Sequence, residues 1–127
     1  MTSSTFSRAD LHGLLESDEV EMSVVISDPS LPDNPMIYVS EEFEAHTGYS
    51  IEDATGQNCR FLQGAETSAF AVEAIRQGLK AQTRFTIDLI NYRKDGTPFV
   101  NRLRIRPIYD QSGSLLFYAG AQNPVSG

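Results

Sequence analysis

The chain has little of what most chemical sites are built from. Its 127 residues include one cysteine, two histidines and no tryptophan. A single cysteine excludes an internal disulfide, and with two scattered histidines the usual zinc-site spacings are missing. There is no basic excess, since the net charge is −7 at pH 7. Nucleic-acid binders set Lys and Arg against phosphate, so neither DNA nor RNA is an expected partner. No apolar run approaches the roughly 18–20 residues of a membrane span. The Ser/Thr-rich stretch Met1–Asp10 lacks the apolar centre of a secretory signal. The expectation is a cytoplasmic protein with no membrane partner.

What is present fits one globular domain, with 40% hydrophobic and 21% charged residues. Ser7 and Asp10 form a capping-box pattern ahead of Leu11, Leu14 and Leu15, which predicts a helix over Ser7–Ser17. Met22–Ser27 and Met36–Val39 read as strands, separated by the proline-rich loop Asp28–Pro35. Ser40 is placed to cap a short helix through His46, Ser50 and Asp53 suggest another turn, and Asn58–Gln63 reads as a brief helix. Thr67 or Ser68 caps a longer helix to Ala81 with an apolar stripe of Val72, Ile75 and Leu79. Three strands follow, Thr83–Arg93, Pro98–Ile108 and Leu115–Ala121, joined by hairpin turns at Asp95-Gly96 and Asp110–Gly113. The order predicts an α+β domain, a five-stranded antiparallel sheet with short helices on one face and an N-terminal cap.

Alternation in those last strands puts amides where apolar residues belong. Phe85, Ile87, Leu89 and Asn91 share one face, as do Phe99, Asn101, Leu103 and Ile105, and as do Tyr118, Gly120 and Gln122. A buried amide without a partner costs a few kcal/mol. Three inward amides therefore pair with one another or with backbone near the strand ends, or they meet a flat ligand with donors and acceptors along one edge. Gly120 favours the second reading, because a glycine inside a strand often marks close approach of a ligand or of backbone.

Cys59 and Gln63 are four residues apart on one helical face, beside Asn58 and Arg60. A lone cysteine is by default a small buried hydrophobe, but this one has polar neighbours. Arg60 and Arg76 suit a phosphate by their forked geometry, although composition alone favours a surface ion pair for each.

The segment Gly56–Gly64 (GQNCRFLQG) resembles the signature of LOV domains, a branch of the PAS superfamily. DPSLPDNPMIYVS, the Phe43…Thr47-Gly48-Tyr49 segment, LINYRKDGTPFVNRLRIRPI and YAGAQ are similar to LOV segments in order and spacing, so the resemblance covers roughly residues 20–123. It implies a cap over 1–19, a core over 20–123 and a tail over 124–127. The whole chain also resembles the short LOV proteins of marine alphaproteobacteria, which carry no fused effector.

The resemblance implies a blue-light receptor that holds FMN, with riboflavin or FAD as minor occupants because the Gly64–Val72 segment carries no adenine-housing insertion. Cys59 would bond to the flavin C4a carbon when lit and release it in the dark. Asn34, Asn58 and Gln63 would hold the ribityl chain, and Arg60 and Arg76 the phosphate. Asn91 and Asn101 would bond the pyrimidine edge. Gln122 would contact O4 and N5 and turn when N5 gains a proton. Val25, Ser27, Leu62, Leu89, Leu103 and Ile105 would wall the ring, with Met36, Val72, Ile75, Ile87, Tyr118 and Gly120 completing the set. Leu103 and Tyr118 stand where Phe is frequent, and Met36 where Ile or Val is. Packing less rigidly at the ring side, Met36 would admit water and speed dark recovery, or would only fill a gap.

The chain stops at Gly127, directly after the last expected strand, so output is expected through a separate protein partner, through an oligomer change or not at all, from a monomer or weak homodimer, with no enzymatic activity of its own. The sheet's outer face mixes Arg102, Arg104 and Arg106 with Ile90, Tyr92, Val100 and Phe117. Either the N-terminal cap covers its apolar part and the arginines are solvated, or the face meets a partner. Two other functions remain: a ligand- or partner-binding PAS module without photochemistry, and a flavin enzyme using Cys59 as a redox thiol. A missing second cysteine and nicotinamide motif disfavour the enzyme.

Overall fold

A computed structural model describes residues 6–125. The elements run α1 (Arg8–His12), β1 (Ser23–Ser27), β2 (Met36–Val39), α2 (Glu41–Thr47), α3 (Ile51–Ala54), a 3-10 turn (Cys59–Leu62), α4 (Ala69–Ala81), β3 (Phe85–Tyr92), β4 (Pro98–Tyr109) and β5 (Leu115–Val125). The five strands form one sheet in the order β2-β1-β5-β4-β3, and every neighbouring pair is antiparallel. The expected α+β architecture is therefore the observed one.

β1 sits at the interior of the sheet and every residue of it is buried. Both of its faces are covered, so its sequence SVVIS shows no apolar–polar alternation. On the outer face Val24, Ile26, Tyr38, Ile108, Phe117, Ala119 and Ala121 pack with Leu11, and Leu14, Leu15 and Met22 close over them. The helix side of the sheet carries two separate clusters. One joins Val25, Met36 and Val39 to Phe43, Ala54 and Leu62. The other joins Leu89, Leu103, Ile105 and Tyr118 to Ala71, with Ile75 and Leu79 against it.

Several boundaries differ from expectation. The first helix is Arg8–His12, not Ser7–Ser17, although the Ser7–Asp10 capping box forms. After Gly13 the chain tightens into i→i+3 bonds, Leu14 N–H to Leu11 O and Leu15 N–H to His12 O, which still turn all three leucines onto the sheet. Ser68 caps α4 with its hydroxyl, whereas Thr67 donates its own to Ile90 O and so ties the preceding loop to the edge strand β3. Ser40 does not cap α2 with its side chain; its hydroxyl accepts the Val24 N–H at 2.9 Å and stitches the helix start to β1. β5 runs through the expected tail to Val125, because β4 starts early enough to pair Asn101 with Pro124 and Val100 with Val125. Residues 1–5 of the expected cap and 126–127 of the expected tail lie outside the described residues.

The arginines of the outer face are not simply solvated. Arg106 is buried and forks onto buried Glu19. It also donates to Leu14 O at 2.9 Å. Arg104 meets Asp18 at 2.9 Å and Arg84 meets Glu16. The acidic stretch between α1 and β1 is thus clasped to β4 and to the residue ahead of β3. Arg102 instead pairs along the sheet with Asp88. Tyr92 leaves the outer face and lies at the sheet edge, where its hydroxyl accepts the Glu66 N–H at 2.9 Å.

Candidate functional site

The two clusters on the helix side are kept apart by a cavity of about 230 Å³ lined by members of both. Each wall comes from a different element. β1 supplies Val25 and Ser27, the 3-10 turn supplies Cys59, Arg60 and Leu62 with Asn58 and Gln63 at its ends, and α4 supplies Val72, Ile75, Arg76 and Leu79. Leu89 and Asn91 come from β3, Leu103 and Ile105 from β4, and Tyr118, Ala119, Gly120 and Gln122 from β5. Asn34 enters from the proline-rich loop, where it holds a left-handed φ of 49° beside Asp33 at 69°. Asparagine tolerates that conformation better than most residues, and here it turns the loop back toward the cavity.

Every residue expected from the sequence to meet the cavity does so except Met36, Ile87 and Asn101. Met36 has no exposure and packs among Val39, Phe43 and Ala54. Its backbone is pinned on both sides, N–H to Gln57 O and C=O from Gly56 N–H, each at 2.8 Å. It lies opposite Ser27 in the β1–β2 ladder and shares its cluster with Val25 and Leu62, so it backs wall residues without lining the cavity itself. Ile87 is half-buried against the cluster under α4. Asn101 lies behind the other two amides with no exposure at all.

The amides form a connected set. Asn101 Nδ2 donates to Asn91 Oδ1 at 2.9 Å and to Gln122 Oε1, and Asn101 Oδ1 accepts the Asn123 N–H at 3.0 Å. Strand parity had left open whether they pair with one another or meet a ligand. They pair with one another through Asn101, and Asn91 and Gln122 also line the cavity. Leu79 and Ala119 line it as well and were missed. Leu79 was visible in the stripe of α4 but read only as core. The Ala119 side chain belongs to the outer-face cluster, so it is its backbone that reaches the cavity, next to a residue with no side chain.

Gly120 faces Val25 and Ile105 across the ladders. A Cβ placed there would sit 3.6 Å from Leu103 Cδ1 and from Val25 Cγ2, ordinary contact with the walls. The missing methyl leaves a flat stretch of floor.

Cys59 is partly exposed and lines the cavity, and burial pushes its thiol up to about 12. It is neutral at any physiological pH. Asn58 caps the 3-10 turn, its Oδ1 accepting the Arg60 N–H at 2.9 Å and its Nδ2 reaching Asp33 O at 2.7 Å. Arg60 also pairs with Asp33 and Arg76 with Glu73. Their side chains are 57% and 75% exposed, which puts the cavity mouth on their side. Such exposed pairs contribute about 0–1 kcal/mol, so an incoming anion can displace them. Asn34 Oδ1 is buried without a hydrogen-bond partner. Among the described residues no group of His, Cys, Asp and Glu is placed to hold a metal ion, and no helix is long and apolar enough to cross a membrane.

Comparison with known proteins agrees with this architecture. Residues 21–125 match the PAS domain family. The chain is 43% identical over 106 residues to the blue-light-activated histidine kinase 1 of Erythrobacter litoralis, covering 84% of this chain and 29% of the kinase. It is 43% identical over 105 residues to phototropin-2 of Oryza sativa subsp. japonica, covering 83% of this chain and 12% of that protein. The chain thus spans less than a third of either curated relative. A solved light-oxygen-voltage domain, studied with a flavin analogue, superposes with a TM-score of 0.82 at 47% identity, covering 86% of this chain and 81% of that one. The sheet order, the position of the cavity and these likenesses lead to one assignment: the chain belongs to the PAS domain family and, within it, to the LOV domains.

Proposed function

We propose that the chain is a blue-light receptor, that it holds FMN in the cavity, and that Cys59 is its reacting group. The observation that carries this is one cavity between apolar walls, lined by a neutral thiol and by two residues that each keep an uncommitted polar group. The polar groups are Asn34 Oδ1, which is buried without a partner, and Gln122 Nε2, for which no bond is found among the described residues. The residues present fit a flavin: flat apolar walls, a glycine floor, an amide edge from Asn91 and Gln122, and arginines at the mouth.

Bound flavin supplies blue absorption and, once excited, an electron-poor C4a carbon. Cys59 would supply to such a ring both the sulfur and the proton of an addition, its own S–H bond being the one that breaks, so no external oxidant or reductant is needed. A neutral thiol carries the proton this addition requires, so its raised pKa suits the role. Gln122 Oε1 is taken by Asn101, which leaves Nε2 to donate to a ring acceptor. Gln122 can present either its nitrogen or its oxygen, so it would answer a change of the ring edge from acceptor to donor by turning its amide. Arg60 and Arg76 exchange their surface carboxylates for the phosphate. The signal passes to a separate protein partner, and the chain acts as a sensor in the cytoplasm rather than as an enzyme.

The test is an absorption spectrum before, during and after blue illumination, on wild type and on Cys59→Ala. The expected outcome is a yellow protein that bleaches and recovers in the dark, with bleaching lost in the variant. A colourless protein, or a yellow one that does not bleach, would assign the chain as a PAS module without photochemistry. Bleaching of the same form in Cys59→Ala would remove the cysteine from the mechanism.

A further inference from the structure

The chain carries ten Lys and Arg residues against a net charge of −7, yet Arg84, Arg102, Arg104 and Arg106 lie together on and beside β3 and β4. Arg102 is matched within the sheet by Asp88. The other three are matched from one short stretch, ESDEVE over Glu16–Glu21: Glu16 on Arg84, Asp18 on Arg104 and Glu19 on Arg106. That stretch belongs to no helix or strand. Its backbone bonds close turns on itself, Glu19 N–H to Glu16 O and Met22 N–H to Glu19 O. Its carboxylates are therefore the side chains that bond it to the sheet, and the fold already displays an acidic peptide bound to an arginine surface.

The hold is uneven. Arg106 and Glu19 are buried and form the fixed end. The side chains of Arg84 and Arg104 are 66% and 41% exposed, and those of Glu16 and Asp18 are open as well. Exposed pairs of this kind are each worth about a factor of one to five in an equilibrium constant, so another carboxylate can exchange with them. The space for it exists. A cleft of about 220 Å³ lies beside these pairs, lined by Asp18, Arg84, Thr86 and Arg104 among others. Thr86 stands directly opposite Arg104 in the ladder, and its hydroxyl is left to solvent.

We propose that the Arg84–Arg104 cleft is a docking site for an acidic peptide segment of a partner protein, which Glu16 and Asp18 occupy in cis until that segment displaces them. Guanidinium forks suit carboxylates, and arginine clusters recur as readers of acidic motifs. The cis occupant also states the spacing: its two exchangeable carboxylates are separated by one residue, so the partner presents acid-x-acid. This names the chemistry of the separate partner in the reading above and rests on that reading only in making the partner a receiver of signal. Docking itself needs no flavin.

The probe is a fluorescent synthetic peptide of the chain's own sequence over residues 14–22, LLESDEVEM, beside a control peptide with every Glu as Gln and the Asp as Asn. Fluorescence anisotropy reads its binding to the full chain as wild type, as Glu16→Gln with Asp18→Asn, and as that variant with Arg84→Gln and Arg104→Gln added. Freed of its cis occupant, the carboxamide variant binds the acidic peptide about three- to tenfold more tightly than wild type. Added salt weakens this binding, and both the control peptide and the arginine replacements abolish it. No binding to the carboxamide variant, equal binding of the control peptide, or binding that survives loss of both arginines overturns the proposal. Inorganic phosphate that displaces the peptide as well as free peptide does would make the cleft a small-oxyanion site and overturn it too. So would self-association of the carboxamide variant in sedimentation velocity without peptide binding, which would make the occupant a second copy of the chain. A peptide that never binds leaves the photochemistry standing, and wild type that never bleaches leaves the docking site standing.

Discussion

The Arg106 guanidinium grips the Glu19 carboxylate with two bonds, Nε to Oε2 at 2.9 Å and Nη2 to Oε1 at 2.8 Å, although 87 residues separate them. Both are buried, and Glu19 Oε1 also accepts the Glu16 N–H at 2.8 Å. Removing one partner of such a pair strands a charge, which costs about 3–5 kcal/mol. Glu19→Ala should lose that much stability in urea unfolding, while Glu19→Leu combined with Arg106→Met should recover most of it. A loss below about 1 kcal/mol for the single variant would mean that water reaches the pair.

Asn101 is the hub of the amide set, with three hydrogen bonds and no exposure. Asn101→Ala strands Asn91 Oδ1, Gln122 Oε1 and the Asn123 N–H together. Each buried group left unsatisfied costs about 1–3 kcal/mol, and some relief comes from Gln122 and Asn91 turning into the cavity. The expected loss is at least about 2 kcal/mol, together with weaker flavin retention on dialysis. Unchanged stability would show that the amides do not depend on one another.

How much of this was legible in the sequence depends on the range of the interaction. Period-two alternation is local, and it put Asn91, Asn101 and Gln122 on one face, where the structure has them. It could not tell that Asn101 stands behind the other two, because depth within a face depends on how neighbouring strands pair. The Arg106–Glu19 fork was invisible for a similar reason: no pattern within either segment reports a partner 87 residues away. Met36 was read from its likeness to a family position and put at the ring side; it packs with Phe43 and Ala54 in the cluster that also holds the wall residues Val25 and Leu62, one layer back from the cavity. Helix length failed at α1, where the capping box fixed the start and Gly13 left no equal signal for the end.

Gly120→Ala tests the flat floor of the cavity. The added methyl finds ordinary contacts at 3.6 Å to Leu103 and Val25, so the fold should accept it and the melting temperature of flavin-free protein should hold. The same methyl stands where a planar ring would lie. Overpacking of this size costs about 1–3 kcal/mol, which is roughly a ten- to hundredfold loss of flavin affinity. Fluorescence titration of the flavin-free protein measures it, and wild-type affinity in this variant would move the ring off the β5 floor.

The last prediction concerns alkaline pH. Folding holds the Cys59 thiol neutral up to about 12, against 9.0 for the free group. Below about 9 both folded and unfolded chains keep the proton, and this stabilising contribution is complete. Between about 9 and 12 the unfolded chain gives up its thiol proton first and binds fewer protons than the folded one, so stability falls as pH rises. The slope from this one group is at most about 1.4 kcal/mol per pH unit. Burial also raises Tyr38 and Tyr118 above their ordinary 10.0, which adds slope of the same sign, so the contribution of Cys59 is read as a difference between variants. Urea unfolding at about pH 8 and about pH 10.5, on either side of the free thiol value, should show Cys59→Ala losing less stability than wild type over that interval. Equal losses would mean that the thiol ionises as freely in the fold as out of it. The extent of bleaching would then inflect at the free-thiol value of 9.0 instead of staying flat through it.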